Sequence, residues 1–168
     1  MFRLAGFTLV LTAAALSCWP APSLAGPTVP YQDSASGILT AVDATNSPAV
    51  SVSIAGLGQA TYLGLFSMVG SHTLHLDTGL VTDGQFTYKA ADGSTMVGIY
   101  SGYMEFDASG ALQLFLIVQL LPDEGTGRMY GVRGSALTVV TVYGFEVGSP
   151  FTYTSEGTLT LNVPQKAP

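Results

Sequence analysis

From residue 150 to residue 163 the side chains alternate with period two. Phe151, Tyr153, Leu159 and Leu161 fall on one side, and Thr152, Thr154, Glu156, Thr158 and Thr160 on the other. This is the signature of a strand with one buried and one solvated face. Read the same way, 64–76 places Phe66, Met68, His72, Leu74 and Leu76 inward, together with Gly64 and Gly70. Leu65, Ser67, Val69, Ser71, Thr73 and His75 then point outward, and Phe86 and Tyr88 continue the inward face in the next strand. No long window carries apolar residues at i, i+3, i+4 and i+7 opposite a polar face, so no helix is predicted.

Turn signals cut the chain at Asp77-Thr78-Gly79, Asp83-Gly84, Asp92-Gly93 and Asp107-Ala108-Ser109-Gly110. Asp-Gly pairs accept positive φ and mark tight hairpins. Between them lie runs rich in Val, Ile, Thr, Tyr and Phe, which predict strands at about 37–43, 49–55, 59–76, 84–90, 94–106, 111–121, 135–143 and 150–163. Many antiparallel strands with short connections make a sandwich or a barrel, and closure removes exposed edges. The expectation is an all-β chain: a single antiparallel barrel of about eight strands. "GILTAV" (37–42) and "GTLTLNV" (157–163) are similar segments at opposite ends of the domain and would pair to close the ring.

Three stretches break the pattern. Residues 26–36, "GPTVPYQDSAS", read as an irregular lead-in to a barrel domain at 37–168. Residues 122–134, "PDEGTGRMYGVRG", read as a long loop with a single helical turn. That loop is either a surface connection, bent by its glycines, or a rim over a pocket mouth carrying Arg128, Tyr130 and Arg133. The strand 111–121, "ALQLFLIVQLL", is apolar on both faces. One face must fill the barrel and the other needs a cover. Homo-oligomerisation through 111–121, as a dimer or trimer, is one answer, and the loop folding back is the other.

The first 25 residues carry Arg3, an apolar run to about Cys18, and Ser23-Leu24-Ala25 with small residues at the −3 and −1 positions. This is a signal-peptide pattern with cleavage after Ala25, and the run is too short to span a bilayer as a helix, which takes roughly 20 residues. A secreted or periplasmic protein is expected, with no membrane insertion after cleavage; a lipoprotein anchored at Cys18 is the lesser alternative. Cys18 is the only cysteine, so the processed chain would have no disulfide or thiol chemistry. Without Arg3 it has four basic residues against eleven acidic ones, which argues against nucleic acid as a partner.

Candidate chemistry centres on "SHTLHLD" (71–77), which holds both histidines. His72 and His75 are three apart and so face opposite sides of a regular strand, unable to share a metal without a bulge. His75 and Asp77 share a face, roughly 7 Å apart, but supply only two ligands. His72 faces inward, either as a neutral core histidine bonded to a Tyr or Ser, or as a polar group orienting a ligand. The candidate cavity lining is His72, Phe66, Met68, Phe86, Tyr88, Tyr100 and Tyr153. There is no Gly-x-Ser-x-Gly elbow and no phosphate loop, and no metal or cofactor is expected.

Four stretches together carry a resemblance: "GLGQATYLGLFS" (56–67), "FTYKAADGSTMVGIYSG" (86–102), "GTGRMYGVRGSA" (125–136) and "FTYTSEGTLTL" (151–161). They resemble bacterial secreted proteins of the allene oxide cyclase-like and dirigent-like β-barrel group, in which a Gly-Thr-Gly-Arg-aromatic-x-Gly loop precedes a late strand. This chain departs from that loop by inserting Met129 before Tyr130. The resemblance implies an eight-stranded barrel with a central cavity and a trimeric assembly. Plant relatives cyclise an oxylipin epoxide or steer phenoxy-radical coupling, but none of their catalytic residues aligns here. Three functions follow: a barrel holding a small apolar ligand, an isomerase or cyclase working in the cavity, or a self-associating structural barrel.

Overall fold

The structure is a computed structural model that describes residues 25–108 and 110–162. The strands are β1 (Ala25–Asp43), β2 (Ala49–Ala60), β3 (Gly64–His75), β4 (Leu80–Ala90), β5 (Thr95–Phe106), β6 (Leu112–Leu120), β7 (Arg133–Val142) and β8 (Pro150–Asn162). They form one closed barrel in chain order, each antiparallel to the next, with β8 returning to β1. No α-helix occurs among the described residues, only a 3-10 turn at Gly127–Met129. The expected signal peptide lies, apart from Ala25, outside the described residues, as do Cys18 and Val163.

Alternation positions the core as expected. Phe66, Met68, His72 and Leu74 of β3, Phe86 and Tyr88 of β4, and Phe151, Tyr153 and Leu159 of β8 are all buried. In β6 the even set fills the barrel: Leu112, Leu114, Leu116 and Leu120 are buried, while Ile117 is 64% exposed. The outward faces of β8 and β1 carry mainly Thr, Ser and Gln. No helix among the described residues is long and apolar enough to cross a membrane.

Large inward aromatics are seated on glycines of neighbouring strands. Phe66 opposes Gly58, Phe86 opposes Gly98, Tyr100 opposes Gly84 and Phe151 opposes Gly37. A Cβ built on Gly84 would collide with the Tyr100 ring, and one on Gly98 would come within 2.5 Å of the Phe86 ring. These rings occupy the space a side chain would take, which fixes their direction into the lumen.

Several sequence expectations are corrected. Residues 26–36 are not irregular but form the first half of β1, paired with β8. Pro30 is tolerated because β1 pairs with β2 only from Asp33 onward, so on that side no ladder bond is lost. Ring closure does join β1 to β8, but 157–162 pairs with 25–31, whereas Gly37 and Ile38 meet Phe151 and Pro150. The run 59–76, whose length left room for a bend or a break, is indeed broken: two strands meet at Thr61-Tyr62-Leu63, with Tyr62 at φ 67. Asp83-Gly84 is not a hairpin turn but a bulge inside β4, where Asp83 takes φ 54. A bulge uses the same positive-φ tolerance as a turn, so the dipeptide alone does not separate them. Leu76 lies past the end of β3 and is 51% exposed rather than inward.

The hairpin turns after β1, β3, β5 and β7 gather at one end of the barrel, and those after β2 and β4 gather with the segment 121–132 at the other. There 121–132 folds inward as a cap, burying Met129 and Val132 as part of the core.

Candidate functional site

The lumen is incompletely filled. A cavity of about 50 Å³ runs from mid-barrel toward the uncapped end. This is several times what one buried water needs. Its walls are almost entirely apolar, with Leu112, Leu114 and Val140 among them. At the uncapped end Leu112, Val142 and Phe145 also line an outer apolar groove that includes Leu76 and Phe106. These three side chains thus border both the lumen cavity and the groove.

Of the lumen candidates drawn from sequence, Met68, His72, Phe86, Tyr88, Tyr100 and Tyr153 come together around this cavity. Phe66 does not line it but supports it, stacked on Tyr88 with ring centroids 4.2 Å apart and planes at 11°. The loop residues Arg128, Tyr130 and Arg133 do not line it. Arg128 instead fastens the cap: its guanidinium donates to the Leu63 carbonyl and lies 3.2 Å from Asp92. Arg133 and Tyr130 are exposed. The loop closes the far end rather than rimming the mouth, because Met129 and Val132 anchor it in the core.

His72 sits opposite the Asp83-Gly84 bulge, and Gly84 in turn opposes Tyr100. The bulge thus brings β3 and β5 side chains together across β4. His72 Nδ1 lies 2.8 Å from the Tyr100 hydroxyl, which is also 3.3 Å from the Ser71 carbonyl oxygen. Burial lowers the His72 pKa from 6.5 to about 4, so the ring is neutral at ordinary pH. Its Nε2 has no hydrogen-bond partner among the described residues. His75 lies on the other face, with Nε2 2.9 Å from the Thr82 hydroxyl, so the two imidazoles do not converge.

A second polar cluster lies toward the capped end. Asp33 is only 7% exposed. The Tyr31 hydroxyl donates to its Oδ2 at 2.9 Å and the Tyr153 hydroxyl reaches the same oxygen at 3.3 Å. Tyr153 and Tyr88 hydroxyls are 2.5 Å apart. Oδ1 is buried without a partner among the described residues. Asp33 borders a small void of about 10 Å³, walled also by Tyr31, Ser135 and Ser155. Burial raises the Asp33 pKa, opposed by the hydroxyls of Ser155, Tyr31, Tyr88 and Tyr153. Burial likewise raises the Tyr31, Tyr88 and Tyr153 hydroxyls. Ser155 is itself bonded to Thr138 at 2.8 Å.

Sequence reasoning missed Asp33 and Tyr31 because it assigned 26–36 to an irregular segment. The usable signal was the odd series Tyr31, Asp33, Ala35, Gly37 and Leu39, which alternates with Gln32, Ser34 and Ser36. A carboxylate within an otherwise inward set is itself a mark of a specialised position.

The fold and site together define a closed eight-stranded antiparallel barrel with an apolar lumen and two buried polar clusters. In comparisons with protein-family models, curated proteins and solved structures, nothing matches this chain.

Proposed function

We propose that this barrel binds a small, largely apolar molecule in its lumen, entering at the uncapped end. The observation that carries this reading is the apolar cavity with His72 on its wall, whose Nε2 has no hydrogen-bond partner among the described residues. Apolar walls supply affinity by removing ligand surface from water, and one fixed polar atom supplies orientation. The test is a calorimetric titration of the purified protein with a short branched alkene. Saturable binding with a negative heat-capacity change, abolished by filling the lumen with Leu114→Trp, is the expected result. Heats no larger than dilution would contradict it.

A second reading, self-association, is favoured by the outside of β5–β7. Tyr103 and Phe115 stack there with centroids 5.1 Å apart. Ile117 and Leu137, which are cross-strand neighbours, are 64% and 67% exposed. These side chains form an outward apolar stripe of the kind that closed homo-oligomers cover.

A further inference from the structure

The two histidines of β3 each touch a hydroxyl whose own proton is already engaged. A hydroxyl carries one proton, and a carbonyl oxygen only accepts. The Tyr100 hydroxyl donates to the Ser71 carbonyl oxygen at 3.3 Å and lies 2.8 Å from His72 Nδ1. Both contacts are filled only if Nδ1 carries the imidazole proton and donates to the Tyr100 oxygen. The reverse arrangement, with Tyr100 donating to Nδ1, keeps one bond, loses the other and leaves an N–H on Nε2 with no acceptor. A neutral ring has one N–H, so His72 Nε2 is left as a bare lone pair. On the outward face the same logic gives the opposite result. The Thr82 hydroxyl donates to Asp83 Oδ2 at 2.9 Å, and His75 Nε2 lies 2.9 Å from that hydroxyl oxygen. His75 therefore carries a proton on Nε2.

The bare nitrogen faces the lumen. Among the described residues, Asp33 Oδ1 is the one partnerless side-chain atom sealed from any open space. His72 Nε2 has no partner either, so it reaches open space, and the open space that His72 borders is the lumen cavity. We propose that the lumen takes a neutral hydrogen-bond donor, an aliphatic alcohol, whose O–H is accepted by His72 Nε2, with Tyr100 as the positioning residue that holds the imidazole proton on the other nitrogen. This deepens the reading of the lumen as a ligand site and rests on it. The rest of the wall suits such a ligand. No Asp, Glu, Lys or Arg among the described residues lines the cavity, so neither an ammonium nor a carboxylate would find a counter-charge there. Other hydroxyls on the wall are engaged, Thr138 with Ser155, and Tyr153 with Tyr88 and Asp33. A ketone brings only an acceptor oxygen, which a bare Nε2 cannot satisfy, and binds through its apolar body alone. An alcohol donates its O–H to Nε2, and its chain fills the apolar space beside Leu114 and Val140.

The first measurement is the imidazole nitrogen NMR spectrum of the purified protein in alkaline buffer, where imidazoles are uncharged. His72 should show its N–H on Nδ1 and a bare Nε2, and His75 the reverse, with His75→Ala assigning the two sets. Tyr100→Phe should shift His72 toward the Nε2–H form, a change that loss of packing alone would not produce. The second measurement compares methyl propyl ketone with methyl propyl carbinol, the alcohol of the same skeleton. The carbinol should bind about tenfold more tightly, taken relative to the ratio that His72→Phe gives. The His72 Nε2 resonance of the parent should also move on carbinol binding, a readout that needs no variant to fold. An N–H on His72 Nε2, an Nε2 unmoved by bound carbinol, or a ketone that binds as tightly as the carbinol would overturn the acceptor assignment while leaving the lumen site standing. Binding of neither probe would remove the lumen reading and the proposal with it.

Discussion

The Tyr153 hydroxyl lies 3.3 Å from the Asp33 carboxyl, although 120 residues separate them in the chain. The pairing of β1 with β8 that closes the barrel brings them together, placing Asp33 opposite Ser155 and Ala35 opposite Tyr153. The buried carboxyl is therefore a product of ring closure, and its titration reports on the closed state.

Asp33 makes stability depend on pH with a definite sign. Burial holds its pKa above the ordinary 3.8, so the folded chain binds this proton more tightly than the unfolded chain. The stability it contributes is complete below the ordinary value and is lost as pH rises through the folded pKa. Asp33→Asn should flatten that decline in urea melts taken across pH. Asp33→Ala should instead destabilise at every pH, by about 1–3 kcal/mol for each tyrosine hydroxyl left unpaired.

His72 acts in the opposite direction. Its pKa falls from 6.5 to about 4 on folding. Its contribution is present above 6.5 and is lost as pH drops toward 4. The drop in proton affinity corresponds to roughly 3 kcal/mol, at about 1.4 kcal/mol for each tenfold change. His72→Phe should remove this acid-side slope. His72→Ala should cost about 1–3 kcal/mol, and His75→Ala, on the outward face, about 0.5. Equal effects of the two alanine variants would show that the lumen assignment of His72 is wrong.

The glycine seats under the aromatics should be intolerant of a single methyl group. Gly98→Ala would set Cβ 2.5 Å from the Phe86 ring and 2.8 Å from the Gln119 carbonyl oxygen. A loss of about 1–3 kcal/mol is expected in thermal or urea melts. A seat substitution paired with shortening of its ring, Gly98→Ala with Phe86→Leu, should be less costly than the two single changes added together.

Strand β6 separates interior from exterior by one residue. Leu114 and Leu116 fill the barrel, while Phe115 and Ile117 face out. Lysine at both inward positions should abolish folding, since it buries unpaired charge. Lysine at both Phe115 and Ile117 should leave a folded barrel that light scattering reports as a monomer, whereas the parent at tens of micromolar should scatter as a closed oligomer. A parent that is already monomeric would reject the outward stripe as a contact surface.

Much of this architecture could be read from period two alone. β4 and β8 each present one apolar and one mainly polar face, β3 turns its aromatic ring and His72 to the apolar side, and burial on the inward face gives that pattern its physical cause. β6 did not reveal its faces, because both are apolar and only ring closure decides which is inside. β1 was hidden by Pro27 and Pro30, which argue against a strand unless one edge of it is free, a fact of pairing rather than of local sequence. The Asp83-Gly84 bulge was equally hidden, since turn and bulge ask the same backbone freedom of the same residues. The half of the site built on β3, β4, β5 and β8 was therefore legible, and the half that depends on Asp33 and Tyr31 was not.

The most direct test of the lumen as a ligand site is a methyl NMR titration of the purified protein with methyl propyl ketone. The ligand-binding account predicts saturable shifts and ligand contacts at Met68, Leu114 and Val140, which line the cavity, with the outward Leu137 unmoved. Shifts spread over outward methyls such as Leu137 and Ile117, or none at the cavity, would contradict it.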